Sequence, residues 1–345
     1  MGKCQMRSPT KWIEARSPSR IDLAGGTVDI WPLYLFQRGA VTINAGISLF
    51  VRIRIAVSED GLFHIVDLKR NRRCTAATID LLKRKKGFEL FGWALDHFRP
   101  NTGLKIVSDT MVPEGAGLAG SSSLLVALCG ALNHITRMHY SRVRLLDILR
   151  DIETQLLQVP AGFQDYYPAL WGGISSICWD VGGGKREVLD SVDREIEPWL
   201  MLVYTGTSRH SGTNNWNILK QYIEGDTRIR RLLQKIVAVT HSMREALIER
   251  DFEKAGTLMG QEASCRRELL PTIVTPEIER LEKMARSLGV IGCKVCGAGG
   301  GGCVVLFLEP DRREIVYRRL TQSGYEVVPF RIARKGLWLR TGVLT

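Results

Sequence analysis

The sequence predicts an α+β protein with two domains. Segments with helical periodicity and segments with strand periodicity alternate along the whole chain, and 345 residues are enough for two hydrophobic cores. The polar segment DSVDREIEP, at 190–198, separates the two halves. We therefore expect an N-terminal domain over 1–195 and a C-terminal domain over 196–345. No tandem repeat and no low-complexity linker interrupts either half.

The individual strands and helices follow from these periodicities. The segment AVTINAGISLFVRIRIAV (40–57) predicts a strand, because its last part alternates arginine with valine and isoleucine. A second strand is expected over 199–206, and 294–308 predicts a strand, a glycine turn and another strand. In five other segments apolar residues recur at helical spacing. These segments predict helices over 122–136, 142–157, 226–249, 251–269 and 276–288.

The composition excludes a disordered or fibrous chain, since 45% of the residues are hydrophobic and 24% are charged. The first residues, MGKCQM, form no apolar signal region, and no run approaches the roughly 20 apolar residues that span a bilayer. Eight cysteines are scattered through a chain too large to depend on disulfides. We therefore expect a cytoplasmic protein without a membrane partner. No feature of the sequence specifies an oligomeric state.

The formal net charge of +12 has two interpretations. A basic surface can bind nucleic acid, and LKRKKG (82–87) is the densest basic run. That run lacks interleaved aromatic residues and any nucleic-acid motif, so we expect a solvated face and no nucleic-acid partner. A positive field also suits an enzyme whose ligands are nucleotides and sugar phosphates.

Three cysteines stand close together near the C-terminal end. Cys293 and Cys296 have CxxC spacing, and Cys303 follows. No second CxxC and no neighbouring histidine completes a zinc site, so we expect small buried residues in a strand.

The segment VPEGAGLAGSSSL (112–124) places small residues and serines directly before an apolar helix. Glycines let a ligand approach the backbone closely, and the N-terminus of a helix offers unpaired N–H groups and partial positive charge. The segment therefore predicts a phosphate-binding loop. The alternative is a serine N-cap with no ligand. The loop comprises Gly115, Ala116, Gly117, Leu118, Ala119, Gly120, Ser121, Ser122 and Ser123.

A second group of polar residues lies in ARSPSRIDLAGGTVDIWPLY (15–34). Arg20 supplies a fixed charge, and a short strand leads into a glycine turn that presents Thr27 and Asp29. A carboxylate beside such a turn can accept several hydrogen bonds from sugar hydroxyls. Asp29 could instead only cap the turn.

The third and fourth groups complete the pattern. Glu153 lies on a helix that ends before Pro160, and Asp165 follows in the loop AGFQD. Near a phosphate loop, one carboxylate can hold Mg²⁺ while the other orients or deprotonates an attacking hydroxyl. The segment CGAGGGGC (296–303) predicts a close backbone approach to a ligand or to another loop.

These four motifs, in this order, resemble those of the GHMP kinase superfamily over essentially the whole chain. AGGTVDIWPLY, GFQDYYPALWGG and LVYTGTSRHSG are in turn similar to the sugar 1-kinase branch, which includes heptose 7-phosphate kinases and fucokinase-like enzymes. The resemblance implies a ribosomal-protein-S5-like N-terminal domain and a ferredoxin-like C-terminal domain, with the active site between them.

The resemblance also implies a role for each motif, with ATP as the phosphoryl donor. The serine loop would surround the ATP phosphates, and Glu153 would bind Mg²⁺ together with Ser122 or, because Ala119 is inserted, Ser121. Asp165 would activate the acceptor hydroxyl, and Arg20 would stabilise both the Asp165 carboxylate and the transferring phosphoryl group. The expected acceptor site comprises Gly26, Thr27, Asp29, Gln164, Arg209, Gly299 and Gly300.

The branch similarity implies a sugar or sugar-phosphate acceptor that is phosphorylated at its C1 hydroxyl. Arg209 and His210 could receive a distal phosphate of that sugar, or lie in a solvated loop. Two alternatives remain: a GHMP kinase with another acceptor, such as a mevalonate-like alcohol or galactose, and a sugar-sensing protein without turnover.

Overall fold

A computed structural model gives the structure of residues 11–189, 192–206 and 213–343. Within these ranges the chain forms two β-sheets with helices packed against them. The strands are β1 (Lys11–Ala24), β2 (Val41–Val57), β3 (Phe63–Asp67), β4 (Arg72–Ala76), β5 (Leu104–Thr110), β6 (Ile174–Asp180), β7 (Gly183–Val188), β8 (Leu200–Tyr204), β9 (Gly292–Val295), β10 (Cys303–Phe307), β11 (Glu326–Val328) and β12 (Trp338–Val343).

Helices connect most of these strands. They are α1 (Ile79–Lys83), α2 (Glu89–Phe98), α3 (Gly120–Ile135), α4 (Arg142–Leu157), α5 (Tyr166–Trp171), α6 (Asp193–Ile196), α7 (Thr213–Ile223), α8 (Thr227–Glu249), α9 (Phe252–Leu269), α10 (Pro276–Ser287) and α11 (Arg313–Gln322). Short 3₁₀ helices lie at Leu33–Phe36, Glu197–Trp199, Pro271–Ile273 and Pro310–Arg312. The five predicted helices and the predicted strands all form, with ends within about two residues of the expected positions.

Local capping explains why the helix boundaries could be predicted from the sequence. The Asp226 side chain accepts hydrogen bonds from the first backbone N–H groups of α8, and Ser141, Asp251 and Thr275 do the same for α4, α9 and α10. Helix α4 ends at Gln158, which has a left-handed conformation, shortly before Pro160.

The first sheet has eight strands. Its order is β12-β1-β2-β5-β3-β4, and β6 pairs with β2 and with β7. The long strand β2 pairs with β6 through its first part and with β5 through its second part. Helix α3 is almost wholly buried and packs with α2 and α4 against this sheet, which forms one hydrophobic core. The buried position of α3 fixes the place of the serine loop at its N-terminus.

The second sheet has the ferredoxin-like order β11-β8-β10-β9. Strand β8 is followed by helices, then by β9, β10, α11 and β11, which is the βαββαβ arrangement that the sequence resemblance implies. Cys293 and Cys303 are buried in β9 and β10, and Cys296 is buried just after β9. The predicted α+β class with a ferredoxin-like C-terminal part is therefore confirmed.

The predicted boundary after residue 195 falls within α6, before the second sheet begins at β8. This boundary stays a prediction. Strand β12 lies far beyond it in sequence but pairs with β1 in the first sheet, where Arg16 is opposite Trp338. The first sheet therefore includes residues from both ends of the described chain.

Candidate active site

The serine loop connects β5 to the N-terminus of α3. Gly115 and Gly117 have φ values of 64° and 72°, and Ala119, which precedes the first helical residue, also has a positive φ of 60°. This left-handed backbone leads the chain around the end of α3, where the first N–H groups have no partner within the helix. The structure thus has a helix N-terminus of the kind that binds phosphate.

Two neighbours hold the loop in place. The Arg20 side chain donates to the Gly117 carbonyl oxygen at 2.6 Å, and its backbone N–H donates to the Leu118 oxygen at 3.1 Å. On the other side, a Cβ atom added to Gly117 would lie 2.5 Å from the Cys296 oxygen, and one added to Gly302 would lie 2.7 Å from Ala116. The C-terminal glycine segment therefore packs directly against the serine loop, because it has no side chains.

Arg20 also forms an ion pair with Asp165 across 145 residues of sequence. Its Nε lies 2.7 Å from Asp165 Oδ1, and the side chains are 5% and 24% exposed. Burial lowers the pKa of Arg20, but the charges of Asp165 and Asp22 outweigh this effect, so its pKa is raised overall. Arg20 therefore remains charged between the serine loop and Asp165.

Glu153 lies at the opposite side of the serine loop. The Ser122 hydroxyl donates to Glu153 Oε1 at 3.3 Å, and the buried Tyr166 hydroxyl donates to the other carboxylate oxygen. Burial and the neighbouring Asp165 raise the pKa of Glu153 to about 7, although the hydrogen bonds from Tyr166 and Ser122 favour its ionised form. A divalent cation would compensate this buried carboxylate, and serine and carboxylate oxygens are ligands that Mg²⁺ prefers.

Asp29 lies under the glycine turn after β1. It is 2% exposed, and it accepts hydrogen bonds from the backbone and the side chain of Gln164 at 3.1 and 3.3 Å. Burial, partly opposed by the Gln164 N–H, raises the pKa of Asp29 to about 6. Gly162 approaches closely, since a Cβ atom there would lie 2.4 Å from Asp29 Oδ2. The second and third motifs therefore meet at Asp29.

A buried charge network below this turn was missed by the sequence analysis. Arg266 Nη1 lies 3.5 Å and Lys294 Nζ 3.6 Å from Asp22 Oδ2, and Lys294 also forms an ion pair with Glu262. Glu262 accepts a hydrogen bond from the Gly25 N–H at 3.0 Å. In α9 the buried positions include Ala255, Met259, Glu262, Arg266 and Leu269, so the two charged residues lie on the apolar stripe of the helix. Charged residues at apolar helical positions were the sequence signal that could have indicated this network.

One cavity of about 490 Å³ joins these groups. Its acceptor end, so named because the sequence resemblance implies an acceptor there, includes Arg20, Asp22, Thr27, Asp29, Gln164, Asp165, Arg266 and Gly299, and its loop end includes Gly115 to Ser122 and Glu153. Beyond the loop the wall continues through Asp67, Lys69, Arg70, Leu90, Ser108 and Thr110, none of which the sequence analysis named.

Some predicted site residues do not line this cavity. The Ser123 hydroxyl donates to the Pro18 carbonyl oxygen, and the Gly300 N–H donates to the Ile273 oxygen. Gly26 is not part of the lining, and a Cβ atom added there would be 2.5 Å from Asp22 Oδ2. Ser122 rather than Ser121 contacts Glu153. The predicted Arg209 and His210 lie outside the described residues.

The comparisons with known proteins agree with this architecture. The family model "GHMP kinases N terminal domain" matches residues 76–173, and "GHMP kinases C terminal" matches residues 243–326. Together they cover more than half of the chain. The chain belongs to the GHMP kinases, and it is therefore an ATP-dependent phosphotransferase.

Individual relatives are distant but cover nearly the whole chain. The chain is 24% identical to the D-glycero-alpha-D-manno-heptose 7-phosphate kinase of Campylobacter jejuni, over 95% of this chain and 98% of the relative. It is 23% identical to the mevalonate kinase of Saccharolobus solfataricus, over 90% and 98%. The crystal structure of a D-glycero-D-manno-heptose 1-phosphate kinase from Bacteroides thetaiotaomicron matches with a TM-score of 0.77 at 20% identity, over 95% and 98%. This structural likeness confirms the fold.

Two further features are absent from the described residues. None of the helices in the described ranges is both long enough and apolar enough to cross a membrane. Within the same ranges, no group of three or more histidine, cysteine, aspartate or glutamate residues could hold a metal ion. A divalent cation at Glu153 would therefore need oxygen ligands from Ser122 and from the nucleotide.

Proposed function

We propose that the protein transfers the γ-phosphoryl group of ATP to a sugar or sugar phosphate, at its anomeric C1 hydroxyl. The observation that carries the sugar assignment is the buried Asp29 at the floor of the cavity, held by Gln164 and without a cation beside it among the described residues. A carboxylate in this position suits an acceptor with several hydroxyl donors. The similarity to heptose kinases supports the same class of acceptor.

The serine loop would hold the phosphates of ATP through the N–H groups at the start of α3. Ser122 and Glu153 would hold Mg²⁺, which would supply positive charge to offset the negative charge of the ATP phosphates. The fit of these two residues rests on their hydrogen bond and on the burial of the Glu153 carboxylate, which raises its pKa and which a cation would compensate.

Asp165 would orient the acceptor hydroxyl and take its proton as the phosphoryl group is transferred. Arg20 would act in two ways from one position. Its ion pair holds the Asp165 carboxylate in place, and its contact with Gly117 places positive charge beside the serine loop, where charge develops in the transition state.

The acceptor would lie between Asp165 and the glycine turn. Asp29 and Thr27 would contact its hydroxyls, Gln164 would hold Asp29 in place, and Gly299 would shape the facing wall. Transfer to C1, and binding of a distal phosphate by Arg209, follow from the resemblance to the sugar 1-kinases. We also propose a cytoplasmic location and a domain boundary after residue 195.

A mevalonate-like acceptor is the second candidate, because archaeal mevalonate kinases are among the similar proteins. One panel of acceptors distinguishes the two candidates.

We would measure ATP-dependent ADP release with D-mannose, D-galactose, L-fucose, D-glycero-D-manno-heptose 7-phosphate and mevalonate, and determine the product by NMR. Turnover of a sugar with phosphorus coupled to the anomeric proton is expected. Preferred turnover of mevalonate, or no turnover of any acceptor, would refute the proposal.

A further inference from the structure

Three buried polar atoms at the acceptor end of the cavity have no hydrogen-bond partner among the described residues. They are Asp22 Oδ1, Gln164 Oε1 and Arg266 Nε. Their side chains belong to residues that are 1%, 7% and 4% exposed, and all three residues line the cavity. Because a buried polar atom without a partner costs free energy, such atoms in a binding cavity indicate contacts that a ligand completes.

The three residues surround the same glycine turn. Gln164 contacts Asp29 at one end of the turn, and Asp22 and Arg266 contact each other at the other end. A Cβ atom added to Gly26 would lie 2.5 Å from Asp22 Oδ2 and 3.4 Å from Arg266 Cζ. The turn therefore brings one unpartnered donor and two unpartnered acceptors, each with almost no accessible surface, next to the acceptor end of the cavity.

The charges at this floor are already balanced. Arg266 and Lys294 face Asp22, and Lys294 also faces Glu262, so the buried network contains two positive and two negative groups. Asp29 lies at the same floor. An anionic group on the acceptor would be disfavoured here, because the Arg266 charge is already paired with Asp22 and the Asp29 carboxylate would repel the anion. A hydroxyl group, in contrast, can donate a hydrogen bond to one atom and accept one from another.

We infer that Arg266, Asp22 and Gln164 determine acceptor specificity by binding the neutral ring hydroxyls of the sugar. Arg266 Nε donates to a hydroxyl oxygen, and Asp22 Oδ1 and Gln164 Oε1 accept from hydroxyl groups. Carboxylate and phosphate groups are excluded from this end of the cavity. The inference rests on the proposed sugar kinase activity and assigns part of its selectivity to Arg266, which lies outside the four sequence motifs.

The substitution Arg266→Lys tests the donor, because it keeps a charge opposite Asp22 but removes the planar guanidinium, including Nε and the Nη2 group that donates to the Gly297 oxygen at 2.7 Å. Arg267→Lys is the matched control. Arg267 is the next residue of α9, its side chain is 40% exposed, it pairs with Glu282, and it does not line the cavity. Thermal unfolding of both variants would show whether each is folded.

The kinetic measurement uses the best sugar of the acceptor panel and its 2-, 3- and 4-deoxy analogues. For Arg266→Lys we expect kcat/KM for the parent sugar to fall by about 10-fold or more, with the KM for ATP unchanged within about twofold. For one deoxy analogue the loss should nearly disappear, because the hydroxyl that Arg266 contacts is then absent. Arg267→Lys should resemble the wild type throughout.

Two results would overturn the inference while the sugar kinase activity stands. In one, Arg266→Lys turns over the parent sugar as well as Arg267→Lys does. In the other, the loss is equal for all deoxy analogues, which would indicate a structural role. If the wild-type protein is folded and binds ATP but turns over none of the sugars, the proposed function is refuted. Preferred turnover of mevalonate would indicate that the floor of the cavity binds an anionic group.

Discussion

Arg20 contacts Asp165 and the serine loop at the same time, with Nε 2.7 Å from Asp165 Oδ1 and Nη1 2.6 Å from the Gly117 oxygen. One nearly buried guanidinium thereby fixes the position of the proposed base relative to the loop that would hold the phosphoryl donor. Its planar shape allows both contacts without rearrangement. Arg20 thus contributes to the positioning that phosphoryl transfer depends on.

Asp165→Asn should lower kcat by about 10² or more, because an amide neither accepts the hydroxyl proton nor carries the charge that Arg20 pairs with. Binding of ATP should change little, and titration calorimetry would measure it separately. Asp193→Asn is a suitable control, since Asp193 forms an ion pair with Arg334 at 2.7 Å but lies outside the cavity. Near-native turnover of Asp165→Asn would show that Asp165 is structural.

Binding of the sugar should weaken as the pH falls below about 6. The pKa of Asp29 is raised by burial to about 6, and its protonated form has less capacity to accept hydroxyl hydrogen bonds. Calorimetric titration of the sugar at pH 5 and pH 7.5 would measure this. In Asp29→Asn the affinity should be low and lose this pH dependence. A variant that keeps the wild-type dependence would contradict the assignment.

Ionised Asp29 should lower the stability of the folded protein at neutral pH. Because the folded-state pKa of Asp29 exceeds its ordinary value of 3.8, folding is favoured by the protonated form, and stability is lost as the pH rises from about 4 to about 6. At pH 7.5, Asp29→Asn should therefore stabilise the free protein, by on the order of 2 kcal/mol. Thermal unfolding at pH 4 and pH 7.5 would show whether the difference between variant and wild type grows with pH.

Turnover should require a divalent cation. Excess chelator should abolish ADP release, and added Mg²⁺ should restore it. Glu153→Gln should raise the Mg²⁺ concentration needed for half-maximal activity by about 10-fold or more, as expected when one metal ligand is weakened. Unchanged turnover in chelator would contradict the metal role of Ser122 and Glu153.

The contact between the two glycine-rich segments can be tested with a matched pair of substitutions. Gly302 and Gly182 have similar positive φ values, 87° and 90°, but a Cβ atom at Gly302 would lie 2.7 Å from the Ala116 backbone, whereas Gly182 has nothing within 4 Å. Gly302→Ala should displace the serine loop and raise the KM for ATP by about 10-fold or more. Gly182→Ala carries only the backbone strain. Equal effects would show that the contact is unimportant for ATP.

Lys294→Met should strongly destabilise the protein. Lys294 is fully buried, and its removal leaves Glu262 and Asp22 with one positive partner instead of two. The cost should be about 3–5 kcal/mol, or roughly 5–10 °C in the thermal midpoint. Arg318→Met is the control, because its ion pair with Glu314 is about 70% exposed on both sides and should contribute little. A midpoint equal to that of Arg318→Met would contradict this role.

The helices and strands could be predicted because their signals are local. Helix α4 has the predicted bounds, 142–157, since a serine cap precedes it and Pro160 follows it. The proximity of Arg20, Asp165, Ser122 and Glu153 was expected from the family resemblance rather than from the spacing of these residues, which belong to separate elements.

The burial of Lys294 in the charge network could not be predicted in this way. Lys294 stands in CKVC, where alternating cysteine and lysine indicate an exposed lysine, and its partners Asp22 and Glu262 are far away in sequence. Burial of this lysine requires that β1, α9 and β9 pack together, and no local sequence pattern indicates that packing. The pairing of β12 with β1 was not predicted for the same reason, because two strands so far apart in the chain share no local sequence signal.

The position of β12 has a consequence for synthesis on the ribosome. Residues 11–16 of β1 acquire their second neighbour only when residues 338–343 have been translated and released. Until then the nascent chain carries a sheet with an open edge that another chain can bind. Folding of the first sheet to its full width therefore depends on a strand that lies far downstream of β1 in the chain.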